Sequence, residues 1–115
     1  MSDRTPIRVA LALATSTGGV GQHVRSVAEY LVKAGHIVVV TGPAATERLF
    51  GFTAAGARFR PVEIAAGLDP VRDAGAVLAL RGVTAGADIV HAHGFRAGLL
   101  ASVAGLGRAT PLVVT

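Results

Sequence analysis

From Ile7 to Leu13 the chain is apolar at every position but Arg8. A run with so little polar alternation fits a strand covered on both faces, which is the habit of parallel sheets. Parallel strands need crossover helices, and the rest of the sequence supplies them. Gly21 to Ala34 carries Val24, Val27, Ala28 and Leu31 at one-face helical spacing, with Gly35 as its stop. Ile37 to Thr41 predicts a second strand broken by Gly42-Pro43, and Thr46 is placed to cap a short helix through about Ala55, ended by Gly56. Arg58 to Ile64 predicts a third strand with Phe59, Val62 and Ile64 as its apolar positions.

After a loop at Ala66-Gly67, Asp69-Pro70 reads as an N-cap followed by proline at the first helical position. The helix it starts is expected to reach about Ala85, weakened by Gly75 and Gly82. Asp88 then caps the approach to a fourth strand, Ile89 to Ala92. Arg96 to Ala104 forms a fourth helix with Leu99, Leu100 and Val103 as a core stripe, and Leu112 to Val114 opens a fifth strand that the chain end cuts short. The βαβαβαβαβ order predicts an α/β, Rossmann-like, doubly wound parallel sheet with strand order 3-2-1-4-5. At 115 residues, one domain over 1–115 is expected.

Composition narrows the function classes. With no cysteine the chain has no disulfide framework or thiolate metal site, which fits a reducing, cytoplasmic setting. The net charge of +4 comes mostly from arginines scattered singly, a pattern that argues against nucleic acid and leaves anionic substrates or peripheral membrane contact open. Arg4 and Arg8 precede an Ala/Leu-rich stretch, but the apolar run Val9 to Ala14 is shorter than a signal-peptide h-region of about 7–15 residues. Ala97 to Gly107, the longest later run without charge that could matter for a membrane, is well short of the ~20 residues of a membrane span.

Two segments carry candidate chemistry. Thr17-Gly18-Gly19-Val20-Gly21 links the first strand to the first helix, an order that turns unpaired backbone N–H groups toward an anion. The glycines are expected to allow positive φ and close approach of a phosphate; the plainer reading is a tight turn. His91-Ala92-His93-Gly94 leaves the fourth strand. In the predicted order the first and fourth strands are neighbours at the switch point, where ligands of open α/β sheets bind.

His93 is favoured for chemistry, while His91 is expected to point away from it as a packed structural histidine. His23, in the first helical turn, can meet an anion or simply be solvated, and Arg96 can bind phosphate or sit on the surface. His36 is expected to serve the turn after Gly35. A dinucleotide fingerprint wants Gly or Ala where Val24 stands and an acid near Thr41, so a dehydrogenase is disfavoured. A P-loop is excluded, since no lysine lies near the turn.

Thr17 to Val24, followed by Leu31-Val32-Lys33-Ala34-Gly35-His36-Ile37-Val38-Val39-Val40 and by Ala87-Asp88-Ile89-Val90-His91-Ala92-His93-Gly94, resembles the N-terminal domain of GT-B-fold, family-4 type glycosyltransferases. The resemblance implies retaining transfer of a sugar from a nucleotide-diphosphate donor to a hydroxyl acceptor, with the nucleotide sugar as substrate and no metal or other cofactor. It puts Gly18, Gly19 and Gly21, with His23 and Arg96, near donor or acceptor, and gives His93 a hydrogen-bonding and orienting role at the reacting sugar. It assigns the nucleotide pocket and a carboxylate pair to a second domain absent from this sequence, so the chain alone is expected to be inactive. A stand-alone nucleotide or sugar-phosphate binding module is the alternative.

Overall fold

The computed structural model describes residues 5–115; Arg4 lies outside the described residues. Its elements are β1 (Arg8–Leu13), α1 (Gly19–Lys33), β2 (Ile37–Gly42), α2 (Ala44–Phe50), β3 (Arg58–Pro61), α3 (Pro70–Val83), β4 (Ile89–His93), α4 (Phe95–Ala104) and β5 (Leu112–Val114). The strands form one parallel sheet in the expected order, β3-β2-β1-β4-β5. Successive side chains of β1 feed two different cores. Val9, Leu11 and Leu13 pack with Val24, Ala28, Val38, Val40 and Phe52 on the α1 side. Ala10 and Ala12 pack with Ile64, Leu80, Val90 and Leu100 on the α3 and α4 side. The continuous apolar run is thus explained by burial on both faces.

Local chemistry fixes the ends of the elements, in places differently from expectation. The first helix starts at Gly19, not Gly21, because the Ser16 hydroxyl accepts from the Gly18 and Gly21 amides at 3.4 and 3.1 Å and supports the first turn from outside it. Thr46 does not cap α2 but lies inside it, donating to the Pro43 carbonyl at 2.6 Å. The Ala44 amide at that end donates instead to Glu63 at 2.9 Å. The helix stops at Gly51, φ 66°, short of Ala55, and Phe52 turns into the core. Strand β3 ends at Pro61 rather than Ile64, because its partner β2 ends opposite at Gly42 and the chain then enters α2 at Pro43. Val62 and Ile64 remain buried all the same.

Asp69 accepts from the Arg72 amide at 3.2 Å with Pro70 behind it, as expected. The helix ends at Val83, where the Thr84 hydroxyl and amide both bond the Leu80 carbonyl. The inward face of α4 differs from the expected stripe. Leu100 is buried, but Leu99 and Val103 are 40% and 43% exposed, and the inward face is Ala97, Gly98, Leu100, Ala101 and Ala104. Small residues suit this face because α4 lies close to the sheet: a Cβ on Gly98 would overlap Val114. Asp88 bonds the Arg8 amide at 2.7 Å through its carboxylate and the Arg8 carbonyl at 2.8 Å through its own amide, pinning β4 to the start of β1. His36 serves its turn by accepting from the Ile7 amide at 3.2 Å. Among the described residues no helix is long and apolar enough to cross a membrane.

Candidate functional site

Strands β1 and β4 are hydrogen-bonded neighbours with Leu13 opposite His93, so the glycine segment and the His93-Gly94 turn leave the sheet side by side at one rim. Between them lies an open crevice lined by Thr15, Ser16, Val20, His93, Gly94 and Arg96, among others. This is the switch point at which such sheets take their ligands.

The glycines divide into two kinds. Gly18, the N-cap of α1, has φ −144°, and neither it nor Gly19 or Gly21 is among the positive-φ glycines. The expected conformational need therefore does not operate here. A Cβ on Gly18 or Gly19 would meet nothing within 4 Å, so these positions leave open space in front of the helix terminus. The Gly19 and Val20 amides have no acceptor among the described residues; they are the donors a helix N-terminus offers to an anion. Gly21 faces the other way. It is buried, its amide is taken by Ser16, and a Cβ there would overlap the Phe50 ring, so its glycine serves packing of α1 on α2. Positive φ is instead found at Gly94, φ 95°, where the chain turns from β4 into α4.

The histidines also rearrange the expectation. His91 does not point away from His93. Residues two apart in a strand share a face, and the two rings stack with centroids 3.9 Å apart. The Thr115 hydroxyl lies 3.1 Å from His91 Nε2 and 3.4 Å from His93 Nδ1, bridging the pair. His23 projects from α1 and meets His93 edge-on at 5.5 Å. Burial, and then the neighbouring His91 and His23, hold the His93 pKa down to about 4, while burial and His23 lower that of His91. His93 is therefore neutral at pH 7, with one donor and one acceptor to offer. Its Nε2 is buried without a partner.

Arg96 is neither a surface arginine nor an open phosphate ligand. Its Nη2 lies 2.5 Å from Asp73 Oδ1, with both side chains largely buried, and its Nε donates to the Ala65 carbonyl at 3.3 Å. This ties the start of α4 to α3 and to the loop before it. Nη1 of Arg96 is buried and unpartnered. Buried polar atoms without partners are uncommon; of the three among the described residues, two belong to side chains lining this crevice, and the third is Thr41 Oγ1. No group of His, Cys, Asp or Glu among the described residues is arranged to hold a metal ion. Ser16, Asp73 and Thr115 all shape the site and were not singled out from the sequence. Only Ser16, a hydroxyl just ahead of a helix-starting glycine pair, carried a local signal.

The lowered His93 pKa makes the stability of the fold depend on pH. Between the ordinary value of 6.5 and about 4, the unfolded chain takes up a proton that the folded chain refuses. Stability from this group is therefore complete above pH 6.5 and declines as pH falls toward 4, by on the order of 3 kcal/mol. Urea unfolding at pH 7.5 and 4.5 should show a steeper loss for the parent than for His93→Gln, and equal losses would contradict the assignment.

Residues 18–115 match the family model of the glycosyl transferase 4-like domain. The chain belongs to that family. Solved structures with the same fold include Acinetobacter baumannii MurG, 17% identical with TM-score 0.72, covering 95% of this chain and 35% of that one. The calicheamicin glycosyltransferase CalG4 is 13% identical with TM-score 0.72, over 96% of this chain and 32% of that one. The glycosyltransferase of kitacinnamycin is 18% identical with TM-score 0.64, over 96% and 30%. This glycosyl transferase 4-like domain thus spans about a third of those chains. A universal stress protein in complex with cAMP, 13% identical with TM-score 0.56, matches over 96% of this chain and 98% of that one. At these identities the likeness is one of fold. No curated protein sequence matches the chain.

Proposed function

We propose that this glycosyl transferase 4-like domain is the acceptor-side half of a retaining glycosyltransferase. The enzyme moves a sugar from a nucleotide-diphosphate donor to a hydroxyl acceptor in the cytoplasm, with no cofactor beyond the donor itself. The observation that carries the reading is the pairing of Leu13 with His93, which sets the free Gly19 and Val20 amides beside a neutral, buried imidazole. As the glycosidic bond to the diphosphate breaks, negative charge grows on the leaving oxygen, and amides fixed at a helix N-terminus favour that charge without reorganising. His93 lines the crevice with its Nε2 unpartnered but buried, so a small rotation of the ring would bring that atom to a sugar hydroxyl, away from the resting orientation set by the His91 stack and Thr115. The nucleotide pocket is the task of a second domain, so the 115-residue chain alone should release no nucleotide from UDP- or GDP-sugars offered with hydroxyl acceptors. Turnover by the purified chain would overturn the half-enzyme reading.

A second reading, a self-sufficient nucleotide or sugar-phosphate binding module, is favoured by the likeness to a cAMP-bound universal stress protein of nearly the same extent. Calorimetric titration with AMP, UDP, GDP and pyrophosphate separates the two: nucleotides that bind the chain alone at least tenfold more tightly than pyrophosphate support the module, and nucleotides that bind no more tightly than pyrophosphate support the half enzyme.

A further inference from the structure

At the opposite rim of the sheet from the glycine crevice, a cavity opens among the starts of β1, β2 and β3. Arg8, Arg58 and Arg60 line it, with Ile37 and Val39 between them and Val83 and Gly86 on the α3 side. The register explains the convergence. Arg8 stands opposite Ile37 and Val39 opposite Arg58, so the alternate residues Arg8, Ile37, Val39, Arg58 and Arg60 share the sheet face that carries α3 and α4. All three arginines are exposed, and none forms a salt bridge among the described residues. One carboxylate stands close by: Asp88, next in sequence to the lining residue Ala87, accepts from the Arg8 amide at 2.7 Å and keeps its charge, so three guanidinium groups face a single acid and the balance at the cavity stays positive.

Charge on an edge strand commonly guards against strand addition, which accounts for Arg58 and Arg60 on β3. It does not account for Arg8, which belongs to the central strand and reaches the same cavity across two apolar residues of β2. Three like charges gathered in a concavity repel one another and focus a positive potential. Guanidinium forks match the oxygens of a phosphate group. We propose that this cavity is an anion site for a phosphate monoester, its three guanidinium groups taking the phosphate oxygens and its Ile37 and Val39 floor taking an apolar substituent. The site is separate from the sugar-transfer crevice and does not depend on that reading.

The test is amide-shift mapping of the isotopically labelled chain with phenyl phosphate, and in parallel with phosphatidylcholine vesicles with and without phosphatidic acid. Saturable shifts at Ile37, Val39, Arg58 and Gly86 are expected, weakened at least tenfold in the Arg58→Gln/Arg60→Gln double variant and unchanged in Arg48→Gln. Both changes are at solvent-facing positions, and the spectrum itself reports whether the fold is kept. Response to phenyl phosphate assigns a soluble ligand; response only to phosphatidic acid vesicles, equally dependent on the two arginines, assigns a lipid headgroup. No response to either, or a response that survives in the double variant, overturns the proposal.

Discussion

Replacing Arg96 with alanine should lower the unfolding free energy by about 3–5 kcal/mol, measured as a shift of the urea midpoint at constant slope. The Arg96 and Asp73 side chains are only 12% and 14% exposed and meet at 2.5 Å, so removing the cation strands a carboxylate in a largely dry site. The amide of Asp69, 3.3 Å from the other carboxylate oxygen, is too little to replace it. The paired replacement Arg96→Leu/Asp73→Leu should recover most of the loss, since exchanging both partners for apolar groups removes the charge that had to be desolvated. Exposed pairs such as Lys33–Glu29 should contribute under about 1 kcal/mol by the same assay. A midpoint unmoved by Arg96→Ala would show that the arginine does not hold α4 to α3.

A loss of similar size, about 3–5 kcal/mol, is expected for Phe52→Ala. Phe52 is fully buried, stacked on Phe59 at 6.0 Å and beside Phe50 at 6.1 Å. It fills the space beneath α1 and α2, and truncation leaves a cavity that the surrounding backbone cannot close. A domain of this size has only about 5–15 kcal/mol to lose, so the variant should be largely unfolded at moderate urea. Phe52→Leu, which keeps most of the volume, should lose less than half as much. Equal losses for the two variants would argue that packing volume at this position is not what matters.

The topology could be read from the sequence because each signal was local or strictly periodic. The unbroken run in β1, the stop at Gly35 and the Asp69-Pro70 cap all act within a few residues, and the alternation of strand and helix leaves few topologies. What escaped the sequence depends on distant partners. Arg96 looked available because Asp73 lies far from it along the chain, although the two meet in space. Gly21 looked like its neighbours, and only the approach of Phe50 sets it apart. The α4 stripe was misjudged because Leu99 and Leu100 are equally apolar, and which of them turns inward is decided by how α4 lies on the sheet. The His91 expectation failed for a simpler reason: strand parity puts residues 91 and 93 on one face. Its consequence is a stacked pair bridged by Thr115, with His23 at its edge.

The glycine segment and His93, side by side at the carboxyl rim of β1 and β4, should respond together to one bound anion. Titration of the isotopically labelled chain with millimolar pyrophosphate, followed through its amide and imidazole resonances, reads both elements at once. Saturable shifts of the Gly19 and Val20 amides are expected together with shifts of the His93 ring, whatever happens at the arginine cavity on the far rim. Resonances at Gly19, Val20 and His93 that stay unmoved throughout the pyrophosphate titration would show that the two elements form no shared anion site.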